Sequence, residues 1–525
     1  MNANAKKNKP LERTLWEAAD KLRKAMDAAE YKHIVLGLIF LKHISDTCEA
    51  LHKKLETSEE QERGADPEDV DEYRAENVFY VPPGARWSYL QNIAREQFIG
   101  KSVDAAMDAV EEINPSLRGV LPREYSRRRL SPQKLGQLID LIGSIDIGET
   151  ADNNGDLLGR VYEYFLGEFA AAEGKKGGQF YTPTGIVNLL VEMLQPYNGR
   201  VYDPCCGSGG MFVQSEKFIL AHQGRLNDIS IYGQESNETT YRLCRMNLAM
   251  RGIDASNIKW NTEGSFLNDA HPGLKAEYIL ANPPFNDSDW DGHLLTDDPR
   301  WSYGTPPGSN ANFAWIQHIV SHLSPEGTAG VVLSNGSVSS RTRQESRIRM
   351  ELIEEKTVEC IVALPDRLFY NTGIPACLWF LTRARKEGGQ NYISAMSSRW
   401  KEEYLFIDAT SLGTMINRKN RVLMEEDIRT IAAIYHNWRS GTGKYKYKDV
   451  EGLCKSASLK EVRDNDHLMI PGSYVGVPRG EEEDDETFNQ KMIDLSEEIT
   501  ILIKRGAEMD RWLLEKIKEL GWVRR

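Results

Sequence analysis

The sequence predicts an α/β fold: a mostly parallel sheet with helices on both faces, preceded by an all-α region and followed by a helical arm. Three observations predict it. Between residues 199 and 381 short apolar runs alternate with amphipathic segments, the strand–helix pattern that builds a parallel-rich sheet. Before residue 173 apolar residues recur at helical spacing alone. From Phe488 an apolar stripe near a seven-residue period marks a long terminal helix.

Length and composition set the bounds. A chain of 525 residues is long enough for roughly two to four domains with their own cores. With 40% hydrophobic and 27% charged residues it has the make-up of a globular protein. No apolar run approaches the roughly 18 residues that a membrane span needs. Met1 to Pro10 is polar and basic, unlike a secretory leader. Seven cysteines, without Cys-x-x-Cys spacing, suggest neither a disulfide framework nor a metal site, and the cytoplasm is the expected compartment. A net charge of −13 makes bulk attraction to nucleic acid weak, so a DNA-acting chain of this kind needs a partner or a local basic face to grip.

In chain order, residues 11 to 57 read as helical, with Leu15, Ala18, Leu22, Met26, Ile34, Leu38, Leu41 and Ile44 at helical spacing. Asp66 to Pro83 reads as a charged loop; Trp87–Phe98, Val103–Ile113, Pro132–Ile142 and Asp156–Ala172 read as further helices. Residues 1–172 therefore form an all-α domain without visible site chemistry. Glu173 to Gly178 is a glycine-rich break, and Gln179, Phe180, Tyr181, Thr182, Pro183 and Thr184 lead into a helix from Gly185 to Leu194. Thr182 or Thr184 is suited to cap that helix, and Pro183 to its first turn. Residues 173–410 form the α/β domain and 411–525 a C-terminal region. In the last, Lys444 to Lys448 reads as a loop or edge strand whose alternating basic and aromatic residues guard an edge or touch nucleic acid. Glu481 to Glu486 is a solvated acidic run. Met492, Leu495, Ile499, Leu502, Met509, Leu513 and Leu520 continue the terminal stripe, interrupted at Gly506 and suited to a partner helix.

The α/β region is organised around Val201 to Met211: a strand, the turn Asp203-Pro-Cys-Cys-Gly-Ser-Gly-Gly210, and the start of a helix. Glycines let a ligand approach the main chain, and the helix start offers unpaired N–H groups. Gly207 and Gly209 match two places of the dinucleotide fingerprint, but Phe212 holds the third, and no P-loop follows. Ligands of parallel sheets bind beyond the carboxyl ends of the strands. Asp203, Glu235 and Asn282 each stand at such an end, so one crevice should gather them. Glu235 is placed to accept two ribose hydroxyls. In Asn282-Pro-Pro-Phe285 the Asn282 amide oxygen and the Pro283 carbonyl can accept from an exocyclic amine. Pro283 and Pro284 add no donors, and Phe285 offers a stacking face.

These residues resemble a family. Asp203 to Gly210 followed by Asn282 to Phe285 is similar to S-adenosylmethionine-dependent amino-methyltransferases. Gln179-Phe-Tyr-Thr-Pro183 and the helical N-terminus narrow the resemblance to the modification subunit of type I restriction-modification systems. The resemblance implies a class I methyltransferase fold of seven strands, the last antiparallel, and methylation of adenine N6 in double-stranded DNA. It implies S-adenosylmethionine held by Gln179 to Thr184, Asp203, Gly207, Ser208, Gly209, Gly210 and Glu235. Asn282, Pro283, Pro284 and Phe285 would receive a flipped adenine, with no metal. Where many relatives place an aspartate for the cofactor's adenine, this chain has Ser265 and Phe266 after Gly264, with Asp269 nearby. The 25 or so residues between Phe285 and Asn312 could fold over a base but are too few to read DNA sequence. The family supplies a specificity subunit clasped by two modification subunits, with a restriction subunit for cleavage, in a bacterial or archaeal cytoplasm. Methylation of cytosine N4 or of a protein glutamine, and a cofactor-binding scaffold without transfer, are the alternatives left open.

Overall fold

A computed structural model of the chain describes residues 11–23, 28–58, 60, 64–127, 131–144, 157–173, 181–369, 374–385, 398–417, 420–440, 446–477 and 485–519. Gln179 and Phe180, the 174–178 break, Lys444 and the 481–484 acidic stretch lie outside them. Two units form: residues 1–475, and the segment from Gly476.

Helices Leu11–Arg23, Ala28–Leu55, Trp87–Asn92, Ile99–Ile113, Pro132–Gly143 and Leu157–Glu173 pack into one apolar cluster. The stretch read as a loop from Asp66 contains a short helix, Val70–Ala75, started by Asp69, whose carboxylate accepts from the Asp71 N–H. Glu163, on the helix Leu157–Glu173, joins this region to the next. It accepts from Gln214 (3.2 Å), Lys217 (3.3 Å) and Thr184 (3.4 Å), and Arg251 stands 3.6 Å away.

The strands, in chain order, are β1 Gly199–Asp203, β2 Ile229–Glu235, β3 Ile258–Trp260, β4 Ala276–Ala281, β5 Leu323–Ser334, β6 Val358–Ala363, β7 Ala376–Thr382, β8 Glu403–Asp408, β9 Thr414–Met415, β10 Arg421–Val422 and β11 Cys454–Ser458. The main sheet runs β3-β2-β1-β4-β5-β7-β6-β8-β11, and β9 pairs with β10 in a small ribbon. β7 lies antiparallel between β5 and β6, while β1, β2, β3, β4 and β5 are mutually parallel. The first seven strands are those expected of a class I methyltransferase fold. Two more extend the sheet: β8, parallel to β6, and β11, antiparallel to β8. The sheet therefore continues past residue 410, where the sequence placed a domain boundary, and the helix Glu425–Arg439 packs against Thr184–Leu194.

Strand side chains alternate between two apolar clusters, one on each face, as a pleated sheet buried on both sides requires. Val201, Leu280, Val332 and Leu378 join the first; Tyr202, Ile279, Val331 and Trp379 the second. Lys446, Tyr447 and Lys448 belong to no named strand, and the Arg399 guanidinium lies over the Tyr447 ring. Of the two readings of that segment, loop or edge strand, its described residues 446–448 take the loop.

Among the described residues the second unit holds one helix, Asp485–Glu519, which runs through Gly506 without interruption. Met492, Leu495, Ile499, Leu502, Met509 and Leu513 of the predicted stripe are all exposed, as are Ile503 and Trp512. Leu520 lies outside the described residues. Among the described residues no helix is long and apolar enough to cross a membrane.

Candidate active site

β4, β1 and β2 are neighbours, so their carboxyl ends bring Asn282, Asp203 and Glu235 together as the sequence predicts. The turn after β1 is fastened to β2 by the Cys206 N–H, which donates to the Gln234 carbonyl (3.0 Å). Gly207 and Gly209 take φ angles of +54° and +80°, a region costly for side-chain-bearing residues. A Cβ on Gly207 or Gly210 would meet nothing within 4 Å, so open space runs along the turn. The helix Gly210–Ala221 starts there, its first N–H groups beside that space.

Two hollows meet at this point, sharing Cys205, Gly207 and Asn282. The larger, about 660 Å³, is bounded by Glu235, Gly264 to Leu267, Asp287, Trp290 and Trp315. The smaller, about 70 Å³, is bounded by Asp203, Ser208, Tyr181 and Thr182, with Lys32 reaching in from the N-terminal helices. The segment after Phe285 lines the same hollow as Glu235, and its Trp290 and Trp301 join Phe266 and Trp315 in a buried aromatic cluster.

Charge in the site is held down. Burial raises the Asp203 carboxyl to about 7, although the Cys205 N–H donates to it at 3.0 Å. Burial also raises Glu235, opposed by N–H donors from Asn237 (2.8 Å), Gly207 (3.0 Å) and Ser236 (2.9 Å). Oε1 takes both the Ser236 and Asn237 N–H groups, whereas Oε2 accepts from Gly207 alone and keeps lone-pair capacity for a hydroxyl. The Cys205 thiol, pushed far up by burial and by the Asp203 charge, stays protonated and donates to Asp203, so it is no nucleophile.

Asn282 follows β4 directly. Its Nδ2 donates to Thr182 Oγ1 at 2.8 Å, while its buried Oδ1 has no hydrogen-bond partner among the described residues. An unsatisfied buried acceptor is costly and marks a place where a donor is expected. Pro283 is buried; Pro284 lines the larger hollow. Phe285 is half-buried, edge-on to Phe369 at 5.6 Å. The turn is held from beyond by Asn286, which has φ +53° and exchanges two hydrogen bonds with Asn312 (2.8 and 3.1 Å) while accepting from Ser334 (2.9 Å). Sequence reading missed this support; the Asn–Asn exchange joins residues 26 apart and leaves no periodic trace.

The helix expected to be capped by Thr182 or Thr184 begins at Thr184 with Pro183 as its cap residue, and no side chain caps it. Thr184 Oγ1 donates to Glu163 instead, and Thr182 turns to Asn282. Ser265 Oγ donates to the Pro204 carbonyl (2.5 Å) at the wall of the larger hollow. Asp269 is elsewhere: its carboxylate meets His322 Nε2 at 3.0 Å. Burial opposes its ionisation, but the His322 hydrogen bond and charge hold it down to about 2. Asp269, His322 and His318 have ligand-type atoms within 4.8 Å of one another. Arg300 Nη1 donates to His318 Nδ1 at 3.0 Å, a cation that makes this an ion-pair network rather than a metal cradle.

A family profile described as N-6 DNA Methylase matches residues 153–484, and one described as HsdM N-terminal domain matches residues 11–142. The type I restriction enzyme HindI methylase subunit of Haemophilus influenzae is 44% identical over 84% of this chain and its own whole length. The MjaIX methylase subunit of Methanocaldococcus jannaschii is 37% identical over 97% of this chain and 91% of its own. Among solved structures, a type I restriction-modification methyltransferase subunit from Streptococcus thermophilus superimposes with a TM-score of 0.71 at 24% identity. It covers 89% of this chain and 99% of its own, a likeness of fold.

Proposed function

The chain belongs to the N-6 DNA methylase family as a type I restriction enzyme methylase subunit, and from that premise we propose how its residues act. The reading is transfer of a methyl group from S-adenosylmethionine to N6 of an adenine flipped out of double-stranded DNA. One observation carries it: Asn282, where the two hollows meet, turns an N–H toward Thr182 and keeps a buried, unpartnered acceptor.

Bound S-adenosylmethionine supplies a methyl group on a positively charged sulfur. Glu235 holds the ribose hydroxyls, and Asp203, Gly207, Ser208, Gly209 and Gly210, with Tyr181, Thr182, Pro183 and Thr184, line the remainder of the cofactor's place. The aromatic wall of Phe266 and Trp290 suits the cofactor's adenine. The target adenine must leave the helix because its amine is inaccessible in the stack, at a cost of a few kcal/mol. Phe285 then stacks on the ring, and Asn282 Oδ1 and the Pro283 carbonyl accept the two amine hydrogens. Drawing on those hydrogens concentrates lone-pair density on nitrogen. Alignment of the two reactants contributes on the order of 7 to 11 kcal/mol.

A net charge of −13 leaves much of the grip on DNA to a partner. The exposed stripe of Asp485–Glu519 suits docking to a specificity subunit, in an assembly with a second copy of this chain that a restriction subunit joins for cleavage. The test is transfer of labelled methyl to DNA by the chain alone and with its specificity subunit, followed by digestion to nucleosides. Label in N6-methyladenosine only with the partner is the expected result. Label in N4-methylcytosine, or in protein alone, would replace the reading.

A further inference from the structure

A side-chain amide has two faces of similar shape, and only one can accept hydrogen bonds. If Asn282 is to accept from an amine, something must hold its amide still beside the base. We propose that Thr182 is the positioning residue that anchors the Asn282 amide there; this rests on the role of Asn282 argued above.

Thr182 is not occupied where its sequence context would place it. A threonine one residue before proline at a helix start is a natural capping group. Yet Pro183 is the cap residue, and no side chain caps the helix Thr184–Leu194. The Thr182 hydroxyl instead accepts from Asn282 Nδ2 at 2.8 Å, across 100 residues of sequence. The Asn282 main-chain N–H is meanwhile directed at the Cys205 thiol. Both nitrogens of Asn282 are thus engaged by the protein, and its Oδ1 is without a partner among the described residues. Thr182 anchors the amide by its nitrogen, and the oxygen is left to accept from the amine.

The motif also places Thr182 beside the cofactor, and the two roles separate experimentally. Thr182→Val keeps the shape and removes the acceptor; Thr182→Ser keeps the acceptor. Both are measured in the full-length chain assembled with its specificity subunit, by single-turnover methyl transfer at saturating S-adenosylmethionine and by cofactor binding. Thr182→Val should lower the transfer rate between about tenfold and 100-fold, the scale of a misaligned reacting group. The loss should persist when S-adenosylmethionine is raised further, and Thr182→Ser should recover most of the rate. Wild-type transfer by Thr182→Val, equal damage in both variants, or a loss confined to cofactor affinity would each overturn the proposal. Asn282→Ala is run alongside. If it transfers normally, the role of Asn282 itself fails; if it is inactive while Thr182→Val is normal, only the positioning role fails.

Discussion

At the glycine turn the chain meets its ligand with main chain; at Asn282 to Phe285 it uses side chains. The turn is shaped by two left-handed glycines and fastened through carbonyls and N–H groups to β2, and its flanking carboxylates, Asp203 and Glu235, are both raised by burial. The Asn282 end contains no charge: an amide, two prolines and a phenyl ring, braced by Thr182 on one side and Asn286 on the other. The difference follows from what each end must do. A cofactor with hydroxyls and charges is held in one pose by groups that cost little entropy to fix. A reacting amine needs acceptors oriented in advance and no competing base. Substitutions at the first end should therefore change affinity, and at the second, rate.

The largest expected effect tests the second half of that contrast. Asn282→Ala should lower methyl transfer by about 10²- to 10³-fold, as loss of an oriented hydrogen-bonding group at a reacting centre does. Cofactor binding, read by calorimetry, should be nearly unchanged; a large loss of affinity would erase the division between the ends. Glu235→Ala should do the reverse, weakening S-adenosylmethionine by about tenfold to 100-fold, the worth of a hydrogen bond to a charged group. Transfer at saturating cofactor should fall far less.

Two smaller effects sharpen the account of the turn. A Cβ on Gly209 would lie 2.9 Å from Cys244 Sγ, whereas one on Gly207 would meet nothing within 4 Å. Both positions are left-handed, so each alanine should lower stability, by about 1 kcal/mol from the backbone alone. Gly209→Ala should cost more than Gly207→Ala, read as the order of their denaturation midpoints. Asp203 should make the cofactor-free chain sensitive to pH. Its folded pKa of about 7 exceeds the usual 3.8, so the folded state holds the proton longer than the unfolded one. The stability it contributes is complete below about pH 4 and is lost as pH rises toward 7. Between pH 5 and 8 the parent should lose more melting temperature than Asp203→Asn; parallel curves would remove Asp203 as the cause.

Much of this was legible because the informative residues follow apolar runs directly. Asp203, Glu235 and Asn282 each end a strand, and strand order alone makes them neighbours. What escaped were pairings made at a distance. β8 and β11 lie beyond the strand–helix alternation, and Cys454-Lys-Ser-Ala-Ser458 has almost no apolar content of its own; its place comes from pairing with Glu403–Asp408. Glu163 lies on a helix that periodicity predicts, but its polar partners, Gln214 and Lys217, belong to the next region. Thr182 was read for its local role as a cap, and a contact 100 residues away outweighed it. Asp269 stood near enough in sequence to serve the cofactor, and His322 claims it.

The helix Asp485–Glu519 leaves Ile499, Leu502, Ile503, Met509 and Trp512 more than half exposed. Roughly 25 cal/mol is gained for each Å² of such surface removed from water, and none of that gain is realised while the helix stands open. Its stability is then a matter of mass action, set by the concentration of whatever covers it. Dilution should melt this helix long before it disturbs the sheet, and an excess of unpartnered chains should seek one another.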